Sequence, residues 1–388
     1  MSALPEMRSR AEIVVDLDAI RDNVATLRAR VGDPALMAVV KADGYGHGLV
    51  PAARAARAGG ADWLGAAVLE EAVALREAGD SGRILTWLAT PDEDYTRAVE
   101  LDVDVTAYSV RQVEAIAAAA RAVGVRARLQ LKADTGLGRG GATEALWPYV
   151  VEAAADAEQS GAVRVTGIWS HFACSDEPAH PSNDAQEKAF VQALKVADAV
   201  GLEPEVRHLS NSAGALLRPW SAYDLVRCGI SVYGLSPAPD AITSEGVGLV
   251  PAMTARARLA MVKDLPAGHQ VSYGHTWTAE RDTTVGLVPV GYGDGVPRHA
   301  SSTASVLAGG KQRRIAGRVC MDQVVVDLGG DRPEEGEPVV LFGSGADGEP
   351  TAQDWAEACG TISYEIVTRL GGRWTRRYLS SGMEVTDQ

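Results

Sequence analysis

The segment Leu36-Met37-Ala38-Val39-Val40-Lys41-Ala42-Asp43-Gly44-Tyr45-Gly46-His47-Gly48 indicates both the type of fold and the chemistry. Its apolar run is typical of a buried parallel strand, and a glycine-rich loop follows that strand. Only six of the 37 basic residues are lysines, at positions 41, 132, 188, 195, 263 and 311. An amine can lose its proton and attack a carbonyl, whereas a guanidinium cannot. Lys41 is therefore a candidate nucleophile, although a lone lysine at a turn is more often a solvated residue.

Composition limits the classes of protein to which the chain can belong. A length of 388 residues with 46% hydrophobic content is typical of two domains. The net charge of −14 makes nucleic acid an unexpected partner. Cysteines 174, 228, 320 and 359 are scattered, so neither disulfides nor a metal site is predicted, and a reducing cytoplasm is expected. Residues 1–6 lack a secretion signal, and no apolar run is long enough to span a membrane.

The first two thirds of the chain alternate short apolar strands with alanine-rich helices. Asp18 is predicted to cap a first helix whose apolar residues are Ile20, Val24, Leu27 and Val31. Eight strands are predicted near 36–41, 62–66, 83–88, 103–107, 126–132, 163–170, 206–210 and 223–227. This pattern predicts an α/β fold, a (β/α)8 TIM-type barrel over residues 10–238, with a doubly wound open sheet as the alternative.

A linker at 236–240, continued by 243–248, separates this region from a mainly β domain at 246–388. The strands predicted there are 254–259, 283–290, 305–308, 324–328 and 339–342, with one short helix at 352–359. An early strand at 12–16 is a candidate to pair with this second domain.

Ionisable residues stand where several barrel strands end. Lys41, Lys132, His171, His208 and Arg227 all occupy such positions. Because active sites of these barrels lie at the carboxyl ends of the strands, we expect the five side chains to converge. Each of them alone would be read as a satisfied core polar residue.

Residues 40–48 resemble the pyridoxal-phosphate attachment motif of the alanine racemase family, and five further segments resemble that family in the same order along nearly the whole chain. The resemblance implies that Lys41 carries pyridoxal 5'-phosphate. It also implies a larger set of cofactor-binding residues: Tyr45, Arg139, His171, Asn211, Ser212, Arg227, Gly229, Ile230 and Tyr364. Free amides at Gly229 and Ile230 are suited to an anion such as the cofactor phosphate.

Arg227 is implied to face the pyridine nitrogen of the cofactor. A guanidinium keeps its proton, so the ring nitrogen stays largely unprotonated and the cofactor is a weaker electron sink. This favours return of a proton at Cα over transamination. The resemblance implies a second base, Tyr273 in Val271-Ser272-Tyr273-Gly274, supported by His171 on the opposite face from Lys41.

Tyr273 falls in the β domain and Lys41 in the barrel. The resemblance therefore implies a head-to-tail homodimer in which each pocket combines two subunits. It also implies that Met321 and Arg139 hold the substrate carboxylate, that Tyr292 narrows the entrance, and that Lys132 is carbamylated. Trp87 is expected to pack in the core, with a place in the lining of the pocket as the alternative.

Interconversion of L- and D-alanine, which would supply D-alanine for peptidoglycan, is the predicted activity. Three alternatives stay open at this point. One is a pyridoxal-phosphate decarboxylase on the same two-domain plan, and another is a racemase whose substrates include serine. The third is a non-catalytic barrel that only binds the cofactor.

Overall fold

The computed structural model describes residues 4–381 and 383–385. The chain opens with strand β1 (Ala11–Asp16) and then forms an eight-stranded parallel sheet. Its strands are β2 (Ala35–Val39), β3 (Trp63–Ala66), β4 (Arg83–Thr86), β5 (Asp104–Ala107), β6 (Ala127–Lys132), β7 (Val163–Trp169), β8 (Val206–His208) and β9 (Leu225–Cys228). Their order is β8-β7-β6-β5-β4-β3-β2-β9.

Backbone hydrogen bonds bring the two edge strands of this sheet together. The amide of Asp224 donates to Arg207 O and that of Arg227 to Ser210 O, both at 3.0 Å. Helices cover the outside, so the strands are buried on both faces and read as continuous apolar runs. The predicted barrel is confirmed, and the open doubly wound sheet is wrong.

Helices separate the strands and pack against the barrel. They are α1 (Leu17–Val31), α2 (Lys41–Tyr45), α3 (Leu49–Ala58), α4 (Leu69–Glu77), α5 (Thr96–Glu100), α6 (Val110–Val123), α7 (Trp147–Gln159), α8 (Pro181–Ala199) and α9 (Ser212–Leu217). The prediction that Asp18 caps α1 is wrong. The cap is Asp16, whose side chain accepts a hydrogen bond from the amide of Ala19 at 3.0 Å. Asp18 lies inside the first turn, where its charge still favours the helix N-terminus.

The remainder is mainly β, as predicted. Its elements are α10 (Ser244–Val247), β10 (Met253–Arg258), β11 (Met261–Leu265), β12 (Gln270–Val271), β13 (Trp277–Thr278), β14 (Thr283–Val288), β15 (Ser305–Ala308), β16 (Lys311–Arg314), β17 (Val324–Gly329), β18 (Pro338–Phe342), α11 (Ala352–Cys359), α12 (Ser363–Thr368), β19 (Thr375–Ser380) and β20 (Met383–Val385). A seven-stranded sheet, β16-β15-β18-β10-β1-β19-β20, forms its centre.

Strand β1 joins this second sheet and not the barrel. It pairs antiparallel with β10 and parallel with β19. Its Glu12 is fully buried and accepts hydrogen bonds from Arg256 at 2.7 Å and Arg377 at 3.1 Å. The buried carboxylate is compensated by these two guanidinium groups, which lie on the two neighbouring strands.

Several elements of this domain were not predicted from the sequence. One helix was predicted, but α12 follows α11 after three residues. Part of the predicted linker forms the single turn α10, with Val247 buried. Strands β16 and β19 were missed because their sequences, Lys311-Gln312-Arg313-Arg314 and Thr375-Arg376-Arg377-Tyr378-Leu379-Ser380, are too charged to read as strands. None of the described helices has both the length and the apolar composition that a membrane crossing requires.

Candidate active site

A cavity of roughly 360 Å³ opens at the carboxyl ends of the barrel strands. Its walls contain all ten residues that the sequence analysis assigned to cofactor binding, together with Lys132. Lys132 is the last residue of β6, His171 follows β7 by two residues, and Arg227 lies in β9. Tyr364 reaches the same cavity from α12 in the β domain. The described β domain therefore closes one side of a site whose base is the barrel.

Lys41 begins a left-handed turn at the end of β2. Ala42, Asp43, Gly44 and Tyr45 have φ values of 53°, 53°, 61° and 52°. Such a run is strained for residues with a Cβ and persists only where the surroundings hold it. Glu71 Oε1 accepts the amide of Ala42 at 2.7 Å, and Asp43 Oδ1 accepts that of Leu49 at 2.8 Å. The turn directs Lys41 into the cavity, where burial and then Arg139 lower the pKa of its amine.

A second part of the cavity is suited to a phosphate. The prediction of a free amide at Gly229 is wrong, because this amide donates to Ser212 Oγ at 2.8 Å. A Cβ on residue 229 would overlap the hydroxyl of Tyr45. Only glycine allows this close approach. Burial raises the pKa of Tyr45 and of Tyr364, whose rings are 6.2 Å apart, so both phenols stay protonated and can donate to an anion.

Arg227 is held on several sides. Its Nη1 donates to His208 Nδ1 at 2.9 Å. Its Nη2 has two hydrogens shared among three acceptors: Ser170 O at 2.8 Å, Leu209 O at 2.9 Å and His171 Nδ1 at 3.1 Å. Burial lowers the pKa of Arg227 to about 9, so the group is still charged at neutral pH.

His171 is neutral and has a defined tautomer. Burial, and next the charge of Arg227, lower its pKa well below the ordinary value. Because a guanidinium only donates hydrogen bonds, Nδ1 of His171 is an acceptor and the proton is on Nε2.

Four cations line the cavity: Lys41, Lys132, Arg139 and Arg227. Among the described residues of its lining none is acidic. An uncompensated group of positive charges is costly to bury, so the cavity is suited to an anionic occupant. A phosphate cradle, an amine of lowered pKa and a fixed guanidinium in one cavity fit pyridoxal phosphate.

Several residues of the site were missed or misassigned from the sequence. Trp87 lines the cavity and does not merely pack in the core, with Lys41 Nζ 5.8 Å from its ring centre. Trp169 also lines it, with Lys132 Nζ at 4.5 Å, and Thr368 reaches it from α12. Trp169 could have been found from its position at a strand end, two residues before His171. Glu71 carries no sequence signal, because its role depends on how α4 packs.

Asn211 lines the cavity, but its side chain is also used within the protein. Its Oδ1 accepts the amide of Gly214 at 3.0 Å and the hydroxyl of Ser175 at 2.8 Å. It caps α9 and so fixes Ser212, the first residue of that helix.

Tyr273, Tyr292 and Met321 are not in the cavity of their own chain. They lie on the β domain with 71%, 42% and 54% of their surface exposed. Backbone and side-chain hydrogen bonds join their segments: Tyr292 N donates to Cys320 O at 3.0 Å, and Ser272 Oγ to Arg318 O at 2.6 Å. The structure thus brings these three residues to one face of the β domain, separate from Lys41.

Comparison with known proteins gives the same assignment along nearly the whole chain. The model of the alanine racemase N-terminal domain matches residues 15–237, and that of the C-terminal domain matches residues 252–378. The alanine racemase of Frankia casuarinae is 55% identical over 374 residues, 96% of this chain and 97% of the relative. That of Streptomyces coelicolor is 56% identical over 379 residues, 96% of both chains.

Solved structures agree with this comparison. The alanine racemase of the D-cycloserine producer Streptomyces lavendulae superposes with a TM-score of 0.95 at 54% identity, covering 97% of this chain and 98% of that one. The Bacillus anthracis enzyme with bound L-Ala-P has a TM-score of 0.88 at 31% identity, with 98% of both chains covered. By sequence, fold and site, this chain belongs to the alanine racemase family.

Proposed function

We propose that this chain interconverts L- and D-alanine with pyridoxal 5'-phosphate in the barrel cavity, using Lys41 and Tyr273 of the partner subunit as two bases. The observation that carries the proposal is the cavity itself. It combines an amine of lowered pKa, a phosphate cradle and four cations without a lining carboxylate. Its alanine racemase relatives at 54–56% identity support the same reaction.

When bound, pyridoxal phosphate supplies the electron sink that makes the Cα proton of an amino acid removable. Lys41 takes or returns that proton on one face. Its lowered pKa places more of the amine in the neutral form that can act as a base. The phosphate of the cofactor would be held by Tyr45, Ser212, Gly229, Ile230 and Tyr364, which all line the cavity.

Tyr273 of the partner subunit acts on the other face. His171 supports this phenol. Its neutral ring is bonded to Arg227 through Nδ1, so its Nε2–H is available for the hydroxyl of Tyr273 of the partner subunit. Arg227 would face the pyridine nitrogen of the bound cofactor, and it keeps its own proton at neutral pH. The functional unit is therefore a head-to-tail homodimer, since no single chain holds both bases in one cavity.

The substrate carboxylate is bound by Arg139 and by the amide of Met321 from the partner subunit. Tyr292 of the partner subunit narrows the entrance, which suits a substrate as small as alanine. Serine adds a single hydroxyl, and an apolar pocket rejects such a change by only about a hundredfold. Slow turnover of serine is compatible with the same site.

Carbamylation of Lys132 is part of the proposal. Burial lowers the pKa of this amine to about 8, which raises the neutral fraction that can react with carbon dioxide. The product would be an anion beside Arg139, and it would reduce the repulsion among the four cations. The cysteines of the described chain are all free, which is compatible with a cytoplasmic location.

Chiral analysis of products from L-alanine, L-serine and L-lysine tests the substrate. We expect D-alanine from the wild type and none from Lys41→Ala. We assign Tyr273 to L-alanine and Lys41 to D-alanine, and proton exchange in heavy water tests this. Tyr273→Phe should still exchange the α-proton of D-alanine and lose exchange of L-alanine. Inversion of lysine while alanine is left unchanged would refute the assignment, and carbon dioxide release from ornithine or diaminopimelate would favour a decarboxylase.

A further inference from the structure

A series of buried hydrogen bonds starts at Arg227 and crosses the core of the barrel. Arg227 Nη1 donates to His208 Nδ1 at 2.9 Å, His208 Nε2 is 2.8 Å from Gln130 Oε1, and Gln130 Nε2 donates to Asp104 Oδ1 at 3.3 Å. His208, Gln130 and Asp104 have no exposed surface. Asp104 is the first residue of β5, so this series of hydrogen bonds runs from the cavity to the opposite end of the barrel.

The donor and the acceptor are fixed in every hydrogen bond of this series. The guanidinium of Arg227 can only donate, so Nδ1 of His208 is an acceptor and Nε2 carries the proton. That proton is donated to the carbonyl oxygen of Gln130, whose amide group then donates to the carboxylate of Asp104. Burial and Arg227 lower the pKa of His208 well below its ordinary value, which keeps the ring neutral. A cation and an anion at the two ends impose one polarity on the two neutral groups between them.

The residues around these hydrogen bonds leave room for the side chains and hold them in place. A Cβ at Gly167 would lie 2.6 Å from Cδ of Gln130, so glycine in β7 leaves room for the side chain to cross the barrel. The ring of Trp169 stacks on His208 at 5.5 Å with an interplanar angle of 5°. Arg83 holds Asp104 from the far end at 2.7 Å, and Thr166 Oγ1 donates to the same carboxylate at 2.6 Å.

We infer that Asp104, Gln130 and His208 are positioning residues for Arg227. They hold the guanidinium plane in the orientation that faces the cofactor ring, and Asp104 does so from the other end of the barrel. This inference rests on the proposed function for the role of Arg227, but the proton arrangement stands on the hydrogen bonds alone. If the amide of Gln130 turned over, its NH2 group would meet Nε2–H of His208. The ring would then have to change tautomer and lose its bond from Arg227.

The first test is Gln130→Met, which removes both of the bonds made by Gln130 at nearly constant volume. Thr166→Val is the matched control, because it removes an equally buried hydrogen bond to the same carboxylate and leaves the hydrogen bonds from Arg227 to Asp104 in place. In the apoenzyme, ¹⁵N-histidine spectra should give a protonated Nε2 for His208 in the wild type and in Thr166→Val. In Gln130→Met we expect the Nε2 resonance of His208 to move, because its proton loses the acceptor Gln130 Oε1 while Arg227 still donates to Nδ1. His208→Gln assigns the signal.

The second readout is the holoenzyme with ¹⁵N at the pyridine nitrogen of the cofactor. We expect Gln130→Met to move this resonance and to lower kcat for alanine about tenfold, with a much smaller change in KM, because a displaced guanidinium costs catalysis more than binding. Thr166→Val should leave the resonance in place.

Gln130→Glu serves as the conservative variant. In its protonated form it accepts from His208 and donates to Asp104, so it should restore the wild-type resonance and kcat. When it ionises at higher pH it can still accept from His208, but its donation to Asp104 becomes a contact between two carboxylates, which should displace the side chain and lose both effects. If Gln130→Met does not fold, this pH dependence decides the question.

The positioning role is refuted if Gln130→Met matches Thr166→Val in both ¹⁵N readouts, or if Gln130→Glu gives no pH-dependent recovery. A different result would refute the proposed function: wild-type enzyme that does not racemise alanine. The apoenzyme spectra would still measure the tautomer of His208 in that event.

Discussion

Lys132 is a buried amine among other cations, with 6% of its surface exposed. Burial, then Arg227 and Arg139, lower its pKa from 10.5 to about 8. The unfolded chain thus binds more protons than the folded chain between about pH 8 and pH 10.5, and stability rises with pH across that window. Below pH 8 the buried charge destabilises the folded apoenzyme in full.

We therefore expect Lys132→Met to raise the unfolding free energy of the apoenzyme at pH 7. The gain should be about 1–3 kcal/mol, since each unit of pKa shift corresponds to about 1.4 kcal/mol. It should shrink as the pH approaches 10.5. Urea unfolding of apoenzyme in carbonate-free buffer at pH 7 and pH 10 measures it. The exposed Lys188→Met should change stability little at either pH. Equal gains for Lys132→Met at both pH values would contradict this account.

The left-handed turn that carries Lys41 depends on its contact with α12. Gly46 ends the turn at φ 80°, and a Cβ there would overlap the carbonyl oxygen of Val367 in that helix. Gly124 ends α6 at φ 79° with open space around its Cα. The two glycines have similar left-handed conformations, with ψ values of 1° and 26°, and differ mainly in their neighbours.

Gly124→Ala should lower the unfolding free energy by about 1 kcal/mol, the cost of the left-handed conformation alone. Gly46→Ala should lose about 1–3 kcal/mol more, because Val367 must also move. The displacement of α12 carries Tyr364 with it, so the affinity for pyridoxal phosphate should fall in Gly46→Ala and not in Gly124→Ala. Urea unfolding and cofactor titration measure the two effects. Equal losses would mean that the contact with α12 does not hold the turn.

At the scale of elements, the barrel was predictable because each strand is an apolar run between helices with clear periodicity. The site residues of the barrel were predictable for a related reason, since parallel strands place their ends on one side of the sheet. Helix α12 and strands β16 and β19 were not. Their residues are short or charged segments that acquire structure from neighbours distant in sequence, such as β1 against β19. Local pattern contains no information about such pairing.

In the whole molecule, the two proposed bases lie in different places on one chain. Tyr273 is exposed on the β domain together with Tyr292 and Met321, and the cavity of the barrel contains Lys41. An exposed group of large side chains of this kind is typical of an interface. If two chains pair head to tail, each complete site takes its lysine from one subunit and its tyrosine from the other.

Mixing two inactive variants tests this arrangement. Lys41→Ala and Tyr273→Phe homodimers should each be inactive, but a mixed dimer contains one site with both bases and one with neither. After random exchange half of the dimers are mixed, so about a quarter of the wild-type activity should return. Separate affinity tags on the two variants verify that exchange has occurred. Lys41→Ala mixed with Arg139→Ala is the control: both changes fall in the barrel, every site lacks one of the two groups, and no activity should return. Failure of the first pair to regain activity in tagged mixed dimers would place both bases in a single chain.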